Sequence, residues 1–235
     1  AGFGENTAHE GRVPSGNIAP DGTLVLKLYY DRGEIKVTFK DYDGALIEEV
    51  TVRYEGTAAT PADPERTGYT FAGWDGQYES VTADQTVTAT YTPNPDTAYK
   101  VEHYRQDITG DGYTKFETEN LTGTTDTTAT AVAKAYAGFG ENTAHEGRVP
   151  SGNIEPDGTL VLKLYYDREE IKVTFTDYNG TLIEEVTVRY EGTAVTPEEP
   201  ERTGYTFAGW DGQYEGVTED QTVTATYTPN PDTAY

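Results

Sequence analysis

The chain has 235 residues, no cysteine, and 41 acidic side chains against 17 lysines and arginines, which gives a formal net charge of −24. A surface this acidic repels phosphate groups, so nucleic acids and anionic membranes are disfavoured as partners. The lack of cysteine excludes disulfides, thiolate metal ligands and thiol nucleophiles. No apolar run approaches the ~20 residues of a membrane span, so we expect no membrane insertion in this segment.

The first clear strand pattern is TLVLKLYY, residues 23–30. Side chains of a strand point alternately to opposite faces. Leu24, Leu26 and Leu28 therefore share one face, and the residues between them share the other.

Four more strands are predicted between residues 34 and 91. EIKVTFKDYDGALIEEVTVRYEG, residues 34–56, reads as two strands joined by a hairpin turn at Asp41–Gly44, where aspartate and glycine supply the left-handed conformations. GYTFAGW and QTVTATY give two further strands. The prolines of residues 57–68 forbid a long helix between them but allow one short turn. This order predicts a small α+β sheet of about 60 residues.

The next stretch has a comparable plan. Residues 98–123 predict two strands joined by a glycine-rich turn, and residues 124–139 allow either a short helix or a strand. VPSGNIEPDGTLVLKLYY, residues 149–166, then supplies closing strands around the EPDG turn.

Most of the chain is a repeat. Residues 1–99 recur as residues 137–235 with ten substitutions, so a 136-residue unit is present once whole and once without its first part. Four of the substitutions replace an uncharged residue with glutamate, and we expect these positions to be solvated because burying unpaired carboxylates is costly. They are Glu155, Glu169, Glu198 and Glu219.

Two family resemblances cover nearly the whole chain. GYTFAGWDGQYESVTADQTVTATY, residues 68–91, and its counterpart at 204–227 resemble the Listeria–Bacteroides repeat, also called the internalin B-repeat. AYKVEHYRQDITGDGYTKFETENLTGTT and the following AYAGF, SGNI and DGTLVLKLYYDR resemble the MucBP (mucin-binding protein) repeats of Gram-positive adhesins. Both resemblances imply β-grasp-like folds strung together in wall-anchored surface proteins.

These resemblances imply a mainly β or α+β fold, with tandem small β-grasp-like modules in an elongated rod. The joint YYDREEIKV leaves almost no linker, and YTPNPDTAYKV is stiffened by proline. Each module spans roughly 30 Å, so one repeat unit adds about 60 Å of reach. The predicted domains are 1–32, the C-terminal part of a MucBP-like module; 33–97, a B-repeat-like module; 98–168, a complete MucBP-like module; and 169–235, a second B-repeat-like module plus linker.

Three functions follow from these resemblances. The first is a non-enzymatic stalk of a bacterial surface adhesin, extracellular, with its signal and anchor outside this segment and with neighbouring repeat modules as its partners. The second is an adhesive module for host mucin, another glycan or protein. The third concerns residues 1–32, which lack the hairpin equivalent to Lys100–Gly123. Either the chain is a window cut from a longer array, or another molecule completes this module by strand exchange and builds a fibre.

One motif carries a metal signal. DITGDG places Asp107 and Asp111 at positions 1 and 5 of a calcium loop, with Gly112 at position 6. Position 12, which needs a bidentate glutamate, holds Thr118. A glycine-rich hairpin turn explains the stretch without a metal, so calcium at Asp107 and Asp111 stands as a hypothesis beside that explanation. No other cofactor is expected.

Catalytic signals are absent from the sequence. His9, His103 and His145 form no H-x-x-x-H pair. Modules of ~60–70 residues offer no deep cleft that would raise the pKa of one carboxyl in a glycosidase dyad. We therefore expect no enzymatic activity and assign no catalytic residues. Trp74 and Trp210, in AGWDG, are suited either to stack on a sugar or to anchor a small core.

Overall fold

The computed structural model describes residues 2–231. They form strands, turns and irregular segments with no helix, and hence no helix that could span a membrane. The mainly β prediction is confirmed. The short helical turn left open within residues 57–68 and 124–139 is not formed, and residues 128–130 are a strand instead. The chain divides into two compact units, with the boundary between Asn94 and Pro95.

The described part of unit 1, residues 2–94, has six strands, formed where β-branched and aromatic side chains alternate with polar ones. They are β1 (Phe3–Glu5), β2 (Tyr30–Arg32), β3 (Glu34–Lys40), β4 (Leu46–Arg53), β5 (Tyr69–Asp75) and β6 (Gln85–Pro93). Strands β1 and β2 pair with each other, and the other four form a sheet in the order β4-β3-β6-β5. We call residues 2–32 the partial module and residues 34–93 the first repeat module.

The first repeat module has its core on one face of this sheet. Strands β3 and β4 form the predicted hairpin, which turns at Asp41–Gly44, and β3 pairs parallel with β6. Val37, Phe39 and Val87 are fully buried, because they share the inward face of two adjacent central strands.

Between residues 95 and 231, unit 2 has ten strands. They are β7 (Thr97–Gln106), β8 (Tyr113–Gly123), β9 (Thr128–Thr130), β10 (Phe139–Glu141), β11 (Ser151–Asn153), β12 (Val161–Arg168), β13 (Glu170–Thr176), β14 (Leu182–Arg189), β15 (Tyr205–Asp211) and β16 (Gln221–Pro229). Strands β13 to β16 repeat the sheet of the first repeat module, in the order β14-β13-β16-β15. We call residues 170–229 the second repeat module.

The remaining strands of unit 2 form what we call the hairpin module, residues 97–168. Its main sheet has the order β10-β12-β7-β8, and β9 pairs with β11. The β7–β8 hairpin lies beside β12, with β7 parallel to it in the register Val161↔Lys100 to Tyr166↔Arg105. Leu162, Leu164 and Tyr166 of β12 are buried, in clusters that include Val101, Ala129 and Tyr136.

The four glutamates that replace uncharged residues in the second copy are all exposed, as predicted. These four differences of charge therefore lie at the surface of the same arrangement of strands.

Candidate functional site: the junction between modules

The junction within unit 2 leaves no room for a linker. A single residue, Glu169, separates β12 of the hairpin module from β13 of the second repeat module. Its N–H donates to the carbonyl oxygen of Gly138 at 2.9 Å, and its own carbonyl oxygen accepts from the N–H of Tyr190 at 2.8 Å. The connecting residue is thus bonded to both modules through its backbone.

Arg168 ties the two modules together with one side chain. Its Nε donates to the carbonyl oxygen of Gln106 at 2.8 Å, within the hairpin module. Its Nη1 donates to the carbonyl oxygen of Tyr190 at 2.8 Å and to Glu191 Oε2 at 2.7 Å, in the repeat module. The rigid guanidinium fork can serve several acceptors at once, and only 12% of this side chain is exposed.

An aromatic contact fills the space beside this arginine. The rings of Phe139 and Tyr190 meet edge to face with centroids 6.0 Å apart. Gly138 lies under the Tyr190 ring with φ +72°, and a Cβ atom there would overlap the ring. Both the left-handed conformation and the close approach require glycine at this position.

A second arginine holds the turn of the β7–β8 hairpin. Arg189 Nη1 donates to the carbonyl oxygens of Asp107 at 3.1 Å, Ile108 at 3.4 Å and Gly110. Its Nη2 lies 3.5 Å from Asp111 Oδ1. The predicted calcium motif therefore forms a contact between modules, with its carbonyl oxygens turned towards an arginine.

The two aspartates of that motif have separate surroundings. Asp107 Oδ1 accepts from Thr114 Oγ1 at 2.8 Å, while the Asp111 side chain is fully exposed. Between residues 2 and 231, no group of three or more histidine, aspartate or glutamate side chains is placed to hold a metal ion. Calcium at Asp107 and Asp111 stays a hypothesis.

Unit 1 repeats the backbone, arginine and aromatic contacts between β2 and the first repeat module, with Gly33 in place of Glu169 as the connecting residue. The N–H of Gly33 donates to the carbonyl oxygen of Gly2 at 2.8 Å. Arg32 Nη1 donates to the carbonyl oxygen of Tyr54, also at 2.8 Å. The rings of Phe3 and Tyr54 again meet edge to face, 5.7 Å apart. Arg53, the counterpart of Arg189, is exposed, because the partial module has no hairpin turn for it to contact.

The sheet beyond each junction carries the family signature. The family model of the Listeria–Bacteroides repeat domain matches residues 36–99 and 172–234, more than half of the chain. The chain belongs to this family. Listeria–Bacteroides repeats occur in cell-surface proteins, which indicates a surface-protein repeat region. The chain matches no curated protein. The MucBP resemblance of residues 98–168 stays a prediction.

Each Listeria–Bacteroides repeat builds a cluster of tyrosines around one arginine. The Arg66 guanidinium lies 3.8 Å from the ring centroid of Tyr42 and 3.6 Å from that of Tyr69. Tyr91 Oη donates to Asp41 Oδ1 at 2.7 Å beside them. Burial, and then the Asp41 carboxylate, raise the pKa of Tyr91 to about 12. Arg202, Tyr178, Tyr205, Tyr227 and Asp177 form the same cluster in the second copy.

The tryptophans of the Listeria–Bacteroides repeats pack into the sheet. The ring centroids of Trp74 and Phe39 are 5.0 Å apart, and those of Trp74 and Phe71 are 5.3 Å apart, both edge to face. Trp210 has the same contacts with Phe175 and Phe207. The rings therefore serve the core, which was one of the two roles considered for them.

The hairpin module contains a buried polar network that sequence reasoning missed. His103 is fully buried, with Nδ1 3.0 Å from Tyr166 Oη and Nε2 3.0 Å from Glu119 Oε2. Tyr166 Oη also accepts from the N–H of Lys134 at 3.0 Å. The Tyr166 hydroxyl can therefore donate to Nδ1 while Nε2–H donates to Glu119. This chain of bonds joins β7, β8 and β12.

Charged groups close the network at its outer end. Lys134 Nζ lies 2.7 Å from Glu117 Oε1 and 2.8 Å from Glu119 Oε1. The hydrogen bond from Lys134 is the main cause that lowers the pKa of each glutamate, and the same pairing raises the pKa of Lys134. Tyr136 Oη donates to Glu117 Oε2 at 2.8 Å. The network fastens the hairpin to the rest of its module.

The sequence pointed to the junction but not to the residues that form it. The joint YYDREEIKV indicated that a linker was missing. The roles of Arg168 and Arg189 depend on carbonyl oxygens far away in the sequence, at Gln106, Tyr190 and Gly110. Every residue has a backbone carbonyl oxygen, so the residue types at the acceptor positions do not indicate these contacts. The arginines at 32 and 168, and those at 53 and 189, are identical, but all except ten of the repeated positions are, so identity does not single them out.

Proposed function

We propose that this chain is a non-enzymatic stalk of a bacterial cell-surface adhesin, extracellular and Gram-positive, which projects a binding domain from the cell wall. The observation that carries the proposal is the junction, which is built in both copies from the same arginine, glycine and aromatic residues. A spacer needs joints that fix each module against the next, and a joint that recurs unchanged allows length to vary with copy number.

The charge of the chain supports the same role. A net charge of −24 keeps a long repeat region soluble and limits non-specific contacts. Ion pairs such as Lys36–Glu49 and its counterpart Lys172–Glu185 lie on the outside of the sheets. The partners we propose are neighbouring modules of the same array.

Absence of catalysis is part of the proposal. Among the close titratable groups, His103 with Glu119 joins two strands of one sheet, and Lys134 with Glu117 joins that sheet to the segment after β9. Their hydrogen-bonding capacity is directed at one another, which favours a structural role over a reactive one.

The stalk proposal is tested by the rigidity of the junction. The chain has no cysteine, so cysteine pairs introduced into the full chain accept spin labels at chosen positions only. Labels at Asn120 and Glu219 span the junction of unit 2, and labels at Glu184 and Glu219 lie within one repeat module. We expect distance distributions of similar narrow width for both pairs. A distribution across the junction several times broader than the one within the module would contradict the proposal.

A second candidate, an adhesive module for glycan, mucin or protein, is supported by the tyrosine–arginine cluster. It is repeated in both copies, and Tyr42 and Tyr178 are each 51% exposed. However, Arg66 and Arg202 already occupy one face of these rings. Retention of the chain on immobilised mucin or a glycan array, lost in the double variant Tyr42→Ala, Tyr178→Ala, would favour this candidate over the stalk.

A further inference from the structure

The turn of the second repeat module contains the only asparagine–glycine pair in the sequence. Asn179–Gly180 lies between β13 and β14, where the first copy has Asp43–Gly44. Every other asparagine is followed by threonine, isoleucine, leucine or proline. An asparagine amide can be attacked by the main-chain nitrogen of the next residue, and a side chain on that residue hinders the attack. Glycine has no side chain, so Asn179 is the asparagine best suited to this reaction.

The reacting atoms lie at the surface of the turn. Asn179 and Gly180 are both exposed, and the space around the Cβ position of Gly180 is open. Asn179 Oδ1 accepts a hydrogen bond from the N–H of Thr181 at 3.0 Å. A donor at this oxygen stabilises the negative charge that develops there when a nucleophile attacks the amide carbon. The amide is therefore accessible to water and is held by a group that favours the attack.

One hydrogen bond of the turn opposes the reaction. The N–H of Gly180 donates to the carbonyl oxygen of Asp177 at 2.9 Å, and the nitrogen must lose this proton before it can attack. The Asp177 carboxylate stabilises the turn, because its Oδ1 accepts from the N–H of Tyr178 at 2.8 Å and from Tyr227 Oη at 2.7 Å. The reaction therefore requires the turn to open first.

We propose that Asn179 is a site of spontaneous deamidation. The Gly180 nitrogen gives its proton to hydroxide and forms a bond to Asn179 Cγ, and the side-chain nitrogen leaves as ammonia, which produces a cyclic imide. Water then opens the ring. Hydrolysis at Cγ gives aspartate, and hydrolysis at the main-chain carbonyl carbon gives isoaspartate. In either case one water is consumed, one ammonia is released, and the exposed turn gains one negative charge.

The first copy shows the structure that the aspartate product adopts. Asp43 Oδ1 accepts from the N–H of Ala45 at 2.9 Å, and the N–H of Gly44 donates to the carbonyl oxygen of Asp41 at 2.9 Å. The φ angles of Gly44 and Gly180 are similar, at +88° and +82°. Aspartate at position 179 therefore fits the turn with these hydrogen bonds kept. Isoaspartate inserts another carbon atom into the main chain and disturbs the turn.

The test incubates the full chain in mildly alkaline buffer and follows the tryptic peptide 173–189 by mass spectrometry. Asn179 is the only side-chain amide in this peptide, so a gain in mass reports its conversion. We expect conversion roughly tenfold faster than at Asn142 and Asn153, because threonine and isoleucine follow those asparagines. A sample digested without incubation controls for conversion during digestion. Asn179→Gln, which keeps an amide on a longer side chain, should abolish the gain.

A second pair of variants tests the opening of the turn. Asp177→Ala removes the acceptor of the Tyr178 and Tyr227 hydrogen bonds, so conversion of Asn179 should become several-fold faster. The matched change Asp41→Ala, in the first copy, should leave the rate at Asn179 unchanged. Equal rates in the two variants would show that opening of the turn does not limit the reaction, contrary to the proposal.

Two results would overturn the deamidation site itself. One is a constant mass of peptide 173–189 in the folded chain while a synthetic peptide of the same sequence converts in the same buffer. The other is conversion no faster than at Asn142. Asn179→Asp reproduces the aspartate product and should leave hydrogen exchange of β13 and β14 unchanged. Faster exchange in this variant would show that the turn of the first copy does not describe the product.

Discussion

Arg168 donates a hydrogen bond of 2.8 Å to the carbonyl oxygen of Tyr190, and Arg32 makes the same bond, with the same length, to Tyr54. Each bond crosses from one module to the next. The two arginines differ in exposure, since 12% of the Arg168 side chain is exposed and 43% of the Arg32 side chain. The hairpin of the complete module accounts for the difference, because it covers Arg168 and accepts its Nε–H.

Arg189 and Arg53 form a matched pair for mutation. Arg189→Ala removes the hydrogen bonds to the hairpin turn and should destabilise unit 2 by about 1.5–3 kcal/mol, the contribution of hydrogen bonds to charged groups. Arg53→Ala should cost less than about 0.5 kcal/mol, because an exposed residue without such contacts contributes little. Denaturant unfolding gives both values. Equal effects of the two substitutions would show that the turn contact does not stabilise the junction.

Gly138 and Gly140 lie two residues apart at the start of β10 and differ in what a side chain would meet. Gly138→Ala should destabilise unit 2 by about 1–3 kcal/mol, because φ is +72° and the methyl group would overlap the Tyr190 ring. Gly140→Ala has open space around its Cβ position, so its effect should stay within about 0.5 kcal/mol. Thermal unfolding of the two variants compares them directly, and a harmless Gly138→Ala would mean that Tyr190 can move aside.

Acid should loosen the hairpin module first. Hydrogen bonds from Lys134 lower the pKa of Glu117 and Glu119 below the ordinary 4.5, and His103 contributes at Glu119. Carboxyls with a lowered folded-state pKa stabilise the fold above their unfolded pKa, and this stability is lost as pH falls through the folded value. The protection factors of the β8 amides, which correct the exchange rates for their intrinsic pH dependence, should therefore fall as the pH is lowered below 4.5.

The acid response has its own control. Glu119→Gln removes one of the titrating groups, so the change in β8 exchange over this pH range should become smaller. The repeat modules lack an equivalent network, so β3 and β13 should respond less. A uniform response of all sheets would point to global charge effects instead.

Alkali should act on both Listeria–Bacteroides repeats alike. Burial and the neighbouring aspartates raise the pKa of Tyr91 and Tyr227 to about 12. A group with a raised folded pKa stabilises the fold fully below its unfolded pKa of 10.0, and this stability is lost as pH rises towards 12. A pH titration of tyrosinate absorbance should show tyrosines that ionise well above their ordinary pKa of 10.0. Asp41→Asn with Asp177→Asn should shift them earlier, and an unchanged titration would rule out the carboxylates as a cause.

The strands and their hairpins were predictable because their signals are local. Alternation in EIKVTFK and the Asp41–Gly44 turn specify β3 and β4 within one short stretch. The pairing of β12 with β7 joins residues about 60 positions apart, and nothing in either strand specifies the partner. The segment 124–139 remained ambiguous because its threonines and alanines fit both a helix and a strand. Tertiary pairing of β9 with β11 decides it.

The candidate functional residues also divide into those with a local sequence signal and those whose role depends on distant residues. Asp107 and Asp111 stood out because carboxylates with calcium-loop spacing have a known chemistry, yet their turn is held by Arg189 through backbone oxygens. His103 looked unremarkable in the sequence, since a lone histidine has no motif. Its importance arises only when folding places Tyr166 and Glu119 on its two nitrogens.

The parallel pairing of first and last strands determines how a module responds to mechanical force. In the hairpin module β7 and β12 lie side by side in the same direction, and in the repeat modules β3 pairs with β6 and β13 with β16 in the same way. Pulling such a module by its two ends slides these strands along each other. Their hydrogen bonds then share the load and must break together, instead of opening one at a time like a zipper.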